Sequence, residues 1–241
     1  MDLWFGDSWP VGNELNYYTD KKVECDPNIF INSGEHDNPL KAFSTLVSNF
    51  RNQKFINFAR TAGSLDFSLN QLLNFCNVKK DLLTEHEGNI TVFLCTTAQI
   101  RGYGFDHILN KHHHFYNDTQ KSVTPIYDSL IAINSFYSTC KMHNIKCIII
   151  PIFCNIIIPK TLEHIVLFKD AVLTDKSLVE HTFNEKLIDD RLYEMPNVSE
   201  HEIQNHLKNK DWIKPCQMHP NTQGHKKLAY KLIELLEKNN F

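Results

Sequence analysis

The chain has no window of eighteen uninterrupted apolar residues, and its start has neither the basic segment nor the cleavage site of a signal peptide. We therefore expect no transmembrane helix, no removable leader and no membrane partner. Repeats, linker-like composition and low-complexity tracts are absent too. Since 42% of the 241 residues are hydrophobic, the chain can fill one sizeable core. One domain over residues 1–241 is the simplest prediction.

Strongly basic stretches are also lacking. The net charge is -3 and charges of both signs are mixed along the chain. Nucleic-acid binding requires lysine and arginine clustered into a patch or a stripe, which this sequence does not contain. We therefore exclude nucleic acid from the expected partners.

The seven cysteines are an odd set and form no CxxC motif, so the sequence does not indicate a disulfide framework. Cys95, Cys147 and Cys154 lie within apolar runs typical of core strands, which favours free buried thiols. Free thiols persist in reducing compartments, and we expect a cytoplasmic location. The even scatter of Asn, Lys and Ile indicates a biased genome, and for a viral gene the cytoplasm would be that of the host.

What the sequence does contain is an alternation of apolar runs and helical stripes. Strands are predicted at residues 2–7, 54–60, 90–95 and 146–153, and the intervening patterns predict helices over 40–50, 65–76 and 125–143. The run at 146–153 is the most hydrophobic of the four, which is typical of a parallel strand whose two faces are both covered. This order predicts a three-layer α/β/α sandwich with a mostly parallel central sheet.

Three further segments complete the predicted organisation. Residues 100–123 show no periodicity and predict a mobile loop near the rim of the sheet. Residues 156–214 predict a cap or insert over the pocket, with helices near 176–191 and 199–208. The stripe at 221–238 predicts a closing helix.

Two short stretches, far apart in the chain, suggest a catalytic site. Near the start, apolar residues run into Gly-Asp-Ser ending at Ser8, which predicts a strand whose final turn presents the hydroxyl at the sheet rim. Near the end, His219 stands just before the closing helix. Histidine can take the proton from a serine hydroxyl at neutral pH. Each stretch alone is more often a simple turn or loop, and their joint occurrence favours catalysis.

These stretches resemble the motif blocks of the SGNH (GDSL-type) hydrolase family. Phe5-Gly6-Asp7-Ser8 matches the nucleophile block, residues 57–64 (NFARTAGS) look like the glycine block, and His219-Pro220-Asn221 matches the block of the base. The resemblance covers the whole chain in the right order. It implies an SGNH-hydrolase-like, flavodoxin-like fold and a serine esterase with Ser8 and His219 as catalytic residues. It implies no metal and no organic cofactor.

Acyl transfer also needs hydrogen-bond donors where negative charge develops on the carbonyl oxygen. The resemblance implies that the backbone amides of Ser8 and Gly63 are two of them. The family's third donor is an asparagine in a Gly-x-Asn-Asp block, which this chain lacks. Thr97, Gln99 or Asn57 are candidates for the third donor. The alternative for the threonine is that it only ends the strand.

A second departure concerns the residue that orients the histidine. The family's Asp-x-x-His pattern would place an aspartate at position 216, where this chain has Cys216. In serine proteases, neutralising the orienting aspartate lowers turnover about 10⁴-fold. A backbone carbonyl can hold the second ring nitrogen instead. The sequence therefore indicates either an enzyme with a Ser-His dyad or one that has lost its activity.

Two functions from different classes follow. The first is an esterase that hydrolyses or transfers an acyl group, such as an O-acetyl group on a carbohydrate or small carrier. The second is a non-catalytic binding protein of the same fold that recognises a glycan or a protein partner, favoured by the missing asparagine and aspartate. Metal chemistry at His112-His113-His114 is disfavoured, because adjacent histidines diverge and no Asp, Glu or Cys set has matching spacing.

Overall fold

The computed structural model describes residues 1–7, 10, 42–59, 64–96, 101–106, 111–116, 124–153, 155–184, 220 and 222–241, with the backbone alone at 101–106, 111–116 and 124–125. The described residues form six strands: β1 (Asp2–Phe5), β2 (Phe55–Asn57), β3 (Thr91–Thr96), β4 (Arg101–Asp106), β5 (Lys111–Tyr116) and β6 (Lys146–Pro151). They also form six α-helices: α1 (Phe43–Phe50), α2 (Leu65–Val78), α3 (Lys80–Glu85), α4 (Thr124–Met142), α5 (Leu178–Phe183) and α6 (Thr222–Lys238). Two 3₁₀ helices span Lys160–Ile165 and Lys169–Ala171.

Four of the strands form one parallel sheet in the order β2-β1-β3-β6. Alternate residues of each strand face opposite sides of a sheet, and here both sides are buried. Trp4 packs in one core cluster, whereas its neighbours Leu3 and Phe5 pack in the other. Both clusters contain helical side chains, so β1 lies in the middle layer of the molecule.

The two core clusters place helices on both faces of the sheet. On one face, the strands pack with apolar residues of α1, α5 and α6, including Val47, Leu178 and Leu232. On the other, they pack with residues of α2 and α4, including Leu72 and Phe136. This confirms the predicted three-layer α/β/α sandwich with a parallel central sheet. Burial on both faces explains why the strand runs are continuously apolar.

The strand order creates a switch point at the centre of the sheet. β1 pairs with β2 on one side and with β3 on the other. The connection from β1 to β2 runs through α1 on one face, and the connection from β2 to β3 runs through α2 on the other face. Open α/β sheets bind their ligands in the crevice that such a reversal leaves outside the carboxyl ends of the strands. Gly6 and Asp7 follow β1 directly and therefore lie at that end of the sheet.

Local hydrogen bonds explain where two predicted elements begin and end. The predicted strand at 54–60 is shorter in the structure, because the side-chain oxygen of Asn57 accepts the backbone N–H of Ala59 at 3.0 Å in a turn. Ser64 caps α2 as its sequence position predicts, since its hydroxyl accepts the N–H of Phe67 at 3.2 Å.

The prediction of a mobile loop over residues 100–123 is wrong for part of that segment. β4 and β5 form an antiparallel pair, with Arg101 opposite Tyr116 and Asp106 opposite Lys111. The missed signal is the alternation of Tyr103 and Phe105 with glycines, a period of two that is weak because glycine is a poor strand former. Residues 107–110 and 117–123 lie outside the described residues.

Residues 155–184 extend the sandwich beyond β6. The N–H of Leu173 donates to the carbonyl of Ile149 at 2.9 Å, and Val172 forms a parallel bridge with Ile149. The predicted helix at 176–191 begins at Leu178 and is capped by Ser177. Residues 185–219 lie outside the described residues, so the predicted cap remains a prediction there. None of the helices in the described ranges is long and apolar enough to cross a bilayer.

Candidate active site

The turn after β1 is shaped by Gly6. Its φ is +148°, and a Cβ atom there would lie 2.9 Å from both the Cβ and the carbonyl oxygen of Cys95 and 3.1 Å from Cγ of Pro10. The conformation is rare for residues with a side chain, and the surrounding space is already filled. This confirms that the buried first strand ends in a tight turn, pressed against β3 at the carboxyl edge of the sheet.

Cys95 lies beside this turn and is kept chemically inert. Burial, with a smaller contribution from the negative charge of Asp7, raises the pKa of the Cys95 thiol well above its usual value of 9.0. The thiol therefore stays protonated at neutral pH, and a protonated thiol is a poor nucleophile. Asp7 is itself buried, as expected for a residue that stabilises the turn rather than acting as an acid or base.

Asn57, at the carboxyl end of β2, binds the segment that follows the turn. Its side-chain nitrogen donates to the carbonyl oxygen of Pro10 at 2.9 Å and to the hydroxyl of Ser44 at 3.2 Å. With its oxygen accepting from Ala59, each polar group of this buried amide has a partner. The third oxyanion donor proposed for Asn57 would require one of these N–H groups to be released. That role stays a prediction, and the observed geometry supports a structural one.

The same carbonyl of Pro10 accepts a second hydrogen bond, from the hydroxyl of Ser44 at 2.5 Å. Ser44 lies in the first turn of α1 and is fully buried. The backbone two residues beyond position 8 is therefore bound to two elements at once, the end of β2 and the start of α1.

The start of α1 also contacts α6. The backbone N–H of Phe43 donates to Nδ1 of His225 at 3.3 Å, and the two rings stack with centroids 6.0 Å apart. The first N–H groups of a helix lack partners within the helix, and Ala42 provides no side-chain cap. His225 supplies that acceptor from the first turns of α6, three residues after its start at Thr222.

The described residues thus bring together the neighbours of the two predicted catalytic residues. Pro10 and Asp7 flank position 8, and buried Pro220 follows position 219. Both the segment after β1 and the start of α6 contact the first turn of α1. Ser8 and His219 themselves lie outside the described residues, as does Cys216.

The remaining predicted site residues have described neighbours at the same edge of the sheet. Gly63, Thr97 and Gln99 lie outside the described residues, but Ser64 begins α2 and Thr96 ends β3. Their roles as oxyanion donors remain predictions. The three histidines at 112–114 lie within β5, where only the backbone is described. Among the side chains that are described, which do not include these three, no group of three His, Cys, Asp or Glu could hold a metal.

Ser44 and His225 are the residues that sequence reasoning did not assign to the site. The sequence places Ser44 in a predicted helix and His225 on the predicted closing helix, and neither helical pattern indicates a hydrogen bond to a distant segment. Serine in the first helical turn is a weak signal for a capping contact. Their partners, Pro10 and Phe43, are 34 and 182 residues away, so no local pattern indicates them.

Comparisons with known proteins give likeness in structure only. No protein-family model matches the chain, and no curated protein matches it. A lipolytic protein of the G-D-S-L family from Veillonella parvula is 13% identical, with 98% of both chains covered and a TM-score of 0.49. The psychrotrophic esterase EstA from a Pseudoalteromonas species is 11% identical, with 98% of this chain and 96% of that one covered and a TM-score of 0.43. At such values, the function of this chain has to be argued from its own residues.

Proposed function

We propose that this chain is a serine esterase of the SGNH type, in which Ser8 and His219 act as a catalytic dyad. The observation that carries the proposal is the contact of two distant segments with one helix end. The backbone just after position 8 and the helix just after position 219 both hydrogen-bond to the first turn of α1. The turn after β1 also packs against the end of β3, at the carboxyl edge of the sheet where folds of this class bind ligands, which supports the proposal.

The proposed reaction has two steps. His219 takes the proton of the Ser8 hydroxyl as its oxygen attacks the ester carbonyl carbon, and then gives that proton to the departing alcohol. An acyl-serine results. In the second step, His219 takes a proton from water, the water oxygen attacks the acyl carbon, and the serine leaves with a proton from the histidine. Acid and free enzyme are the products. If another hydroxyl replaces water, the same steps transfer the acyl group.

Charge on the carbonyl oxygen would be stabilised by the backbone amides of Ser8 and Gly63, with Thr97 or Gln99 as the third donor. Loss of one such donor lowers turnover by roughly 100- to 1000-fold in a serine hydrolase. The position of Ser64 as cap of α2 supports this assignment, because Gly63 directly precedes a helix start, and the first N–H groups of a helix favour negative charge nearby.

For the substrate, we propose an ester of a small alcohol or carbohydrate, such as an O-acetyl group on a sugar or carrier. No metal or organic cofactor takes part in the proposed steps. We also propose a reducing, cytoplasmic location, supported by the free buried thiols of Cys76, Cys95, Cys140 and Cys147.

Active-site labelling tests the proposal. Wild-type protein treated with a fluorophosphonate probe should be modified at Ser8, and p-nitrophenyl acetate should be hydrolysed. Ser8→Ala should abolish both signals. His219→Ala should lower hydrolysis by at least about 10³-fold, because the serine then has no base.

The same experiments can refute the proposed esterase activity. If the wild type stays unlabelled under conditions that label a control esterase, the chain is not a serine hydrolase. The non-catalytic alternative, recognition of a glycan or a protein partner, then takes its place. Hydrolysis that survives in Ser8→Ala would also overturn the assignment.

A further inference from the structure

We infer that Ser44, Asn57 and His225, here called the α1 clamp, set the separation between Ser8 and His219. This inference rests on the proposed function. The three residues are positioning residues: two of them bind backbone two residues after position 8, and the third, His225, lies six residues after position 219 and binds α1. Ser44 and Asn57 hold the carbonyl of Pro10, and His225 holds the N–H of Phe43.

The burial of these side chains supports a dedicated role. The exposed fractions of Ser44, Asn57 and His225 are 0%, 8% and 2%. Burying a polar group costs free energy unless it is hydrogen-bonded, and each of these side chains makes at least one hydrogen bond to a segment distant in the sequence. Apolar residues would fill the same space, but they would not fix the relative positions of β1, β2, α1 and α6.

A small error in this geometry is enough to impair acyl transfer. Nucleophile and base have to lie within hydrogen-bond reach, and a displacement of about 1 Å far from the reacting atoms can lower the rate about 100-fold. Two hydrogen bonds to the first turn of α1 connect the proposed catalytic segments: one from Ser44 to the carbonyl of Pro10, and one from the N–H of Phe43 to His225. Loosening the α1 clamp should therefore change turnover more than substrate binding.

Ser48 provides a matched control on the same helix. It lies four residues after Ser44 and is equally buried. Its hydrogen bonds reach side chains of β1 itself and not the segment that follows β1. Its hydroxyl donates to the carboxylate of Asp2 at 3.1 Å and accepts from the indole N–H of Trp4 at 2.8 Å. Ser44→Ala and Ser48→Ala each remove one buried hydroxyl, so both should lower the melting temperature.

Kinetics should separate the two variants. With p-nitrophenyl acetate, Ser44→Ala should lower kcat by roughly 10- to 100-fold with little change in KM, while Ser48→Ala keeps wild-type kcat. His225→Phe keeps the ring that stacks on Phe43 but removes the acceptor nitrogen, and it should behave like Ser44→Ala. Equal kcat in Ser44→Ala, His225→Phe and the wild type, measured well below all melting temperatures, would overturn the inference.

A second readout does not need activity. In a Ser8→Cys, His219→Cys double variant, a short bismaleimide should join positions 8 and 219, because it spans the separation of a serine–histidine pair, which a direct disulfide would not. Each thiol adds across the carbon–carbon double bond of one maleimide, so the step needs no oxidant, and mass spectrometry of the linked peptides measures the yield. Adding Ser44→Ala should lower the yield several-fold, and adding Ser48→Ala should not.

The two readouts distinguish two kinds of failure. A cross-link that depends on Ser44 in a protein without esterase activity supports the α1 clamp and refutes the proposed function. If the cross-link forms with the same yield in the double variant alone, with Ser44→Ala added and with Ser48→Ala added, only the α1 clamp is refuted. If positions 8 and 219 never join, the two residues are not neighbours and both proposals fall.

Discussion

Gly6 shows how a single residue can determine whether the site forms. Any side chain at this position would meet the backbone of β3, and the backbone angle itself is unfavourable for other residues. Glycine therefore lets the chain leave β1 tightly enough for the next residues to contact β2 and α1. Within the Gly-Asp-Ser motif, the glycine is therefore required by packing.

Gly6→Ala should destabilise the protein by roughly 2 to 4 kcal/mol, from backbone strain together with the clash against Cys95. Gly88→Ala is the matched control. Gly88 also has a positive φ, +72°, but has no atom within 4 Å of an added Cβ. Urea unfolding measures both losses of unfolding free energy, and the loss in Gly6→Ala should be the larger, because its φ is less accessible to alanine and the space beside it is filled. Equal losses would contradict this role of Gly6.

On the scale of the secondary-structure elements, the first turns of α1 and α2 lie next to the candidate site. α1 begins without a side-chain cap of its own and takes an acceptor from α6. α2 begins directly after the predicted glycine block, and Ser64, the last residue of that block, is its cap. Because helices that follow parallel strands start at the carboxyl edge, these starts and the strand ends converge on one crevice.

The starts of α2 and α4 also bring two carboxylates close together. Asp66 lies in the first turn of α2, and burial, followed by the negative charge of Asp128, raises the pKa of its carboxyl above the usual 3.8. Below that value the group is protonated in both the folded and the unfolded chain. As pH rises further, the unfolded chain releases the proton first, so ionisation of Asp66 lowers stability.

Asp66→Asn should therefore gain stability relative to the wild type as pH rises from below the usual 3.8 through the raised pKa of Asp66. Asp81→Asn is the control, since Asp81 is an exposed first-turn carboxylate on α3. Urea unfolding at several pH values measures the difference. A gap between Asp66→Asn and the wild type that is constant with pH would contradict the predicted linkage.

On the scale of the whole molecule, the parallel sheet lies between the two core clusters and contributes side chains to both. β1 and β3 each have a partner strand on both sides and side chains buried on both faces. β4 and β5 form a separate two-stranded sheet. Stability against local opening should therefore be uneven, highest in the central strands.

Native-state hydrogen exchange should find the slowest amides in β1 and β3, including those of Leu3, Trp4 and Phe93. Amides of the β4–β5 hairpin should exchange much faster, because a two-stranded ribbon is only marginally stable by itself. Mass spectrometry of exchanged peptides makes the comparison. Protection of the hairpin equal to that of β1 would mean that it is part of the cooperative core.

The sequence by itself determined the layered α/β fold, the central strands, the cap of α2 and the closing helix. Those features follow from local patterns: continuous apolar runs, helical stripes and a serine at a helix start. It also pointed to Ser8 and His219 as a pair. The short β2, the hairpin within 101–116 and the contacts of Ser44, Asn57 and His225 were decided by the tertiary structure. Hydrogen bonds across 34 and 182 residues leave no periodic trace in the chain, because they exist only after the sheet has brought the helix ends together.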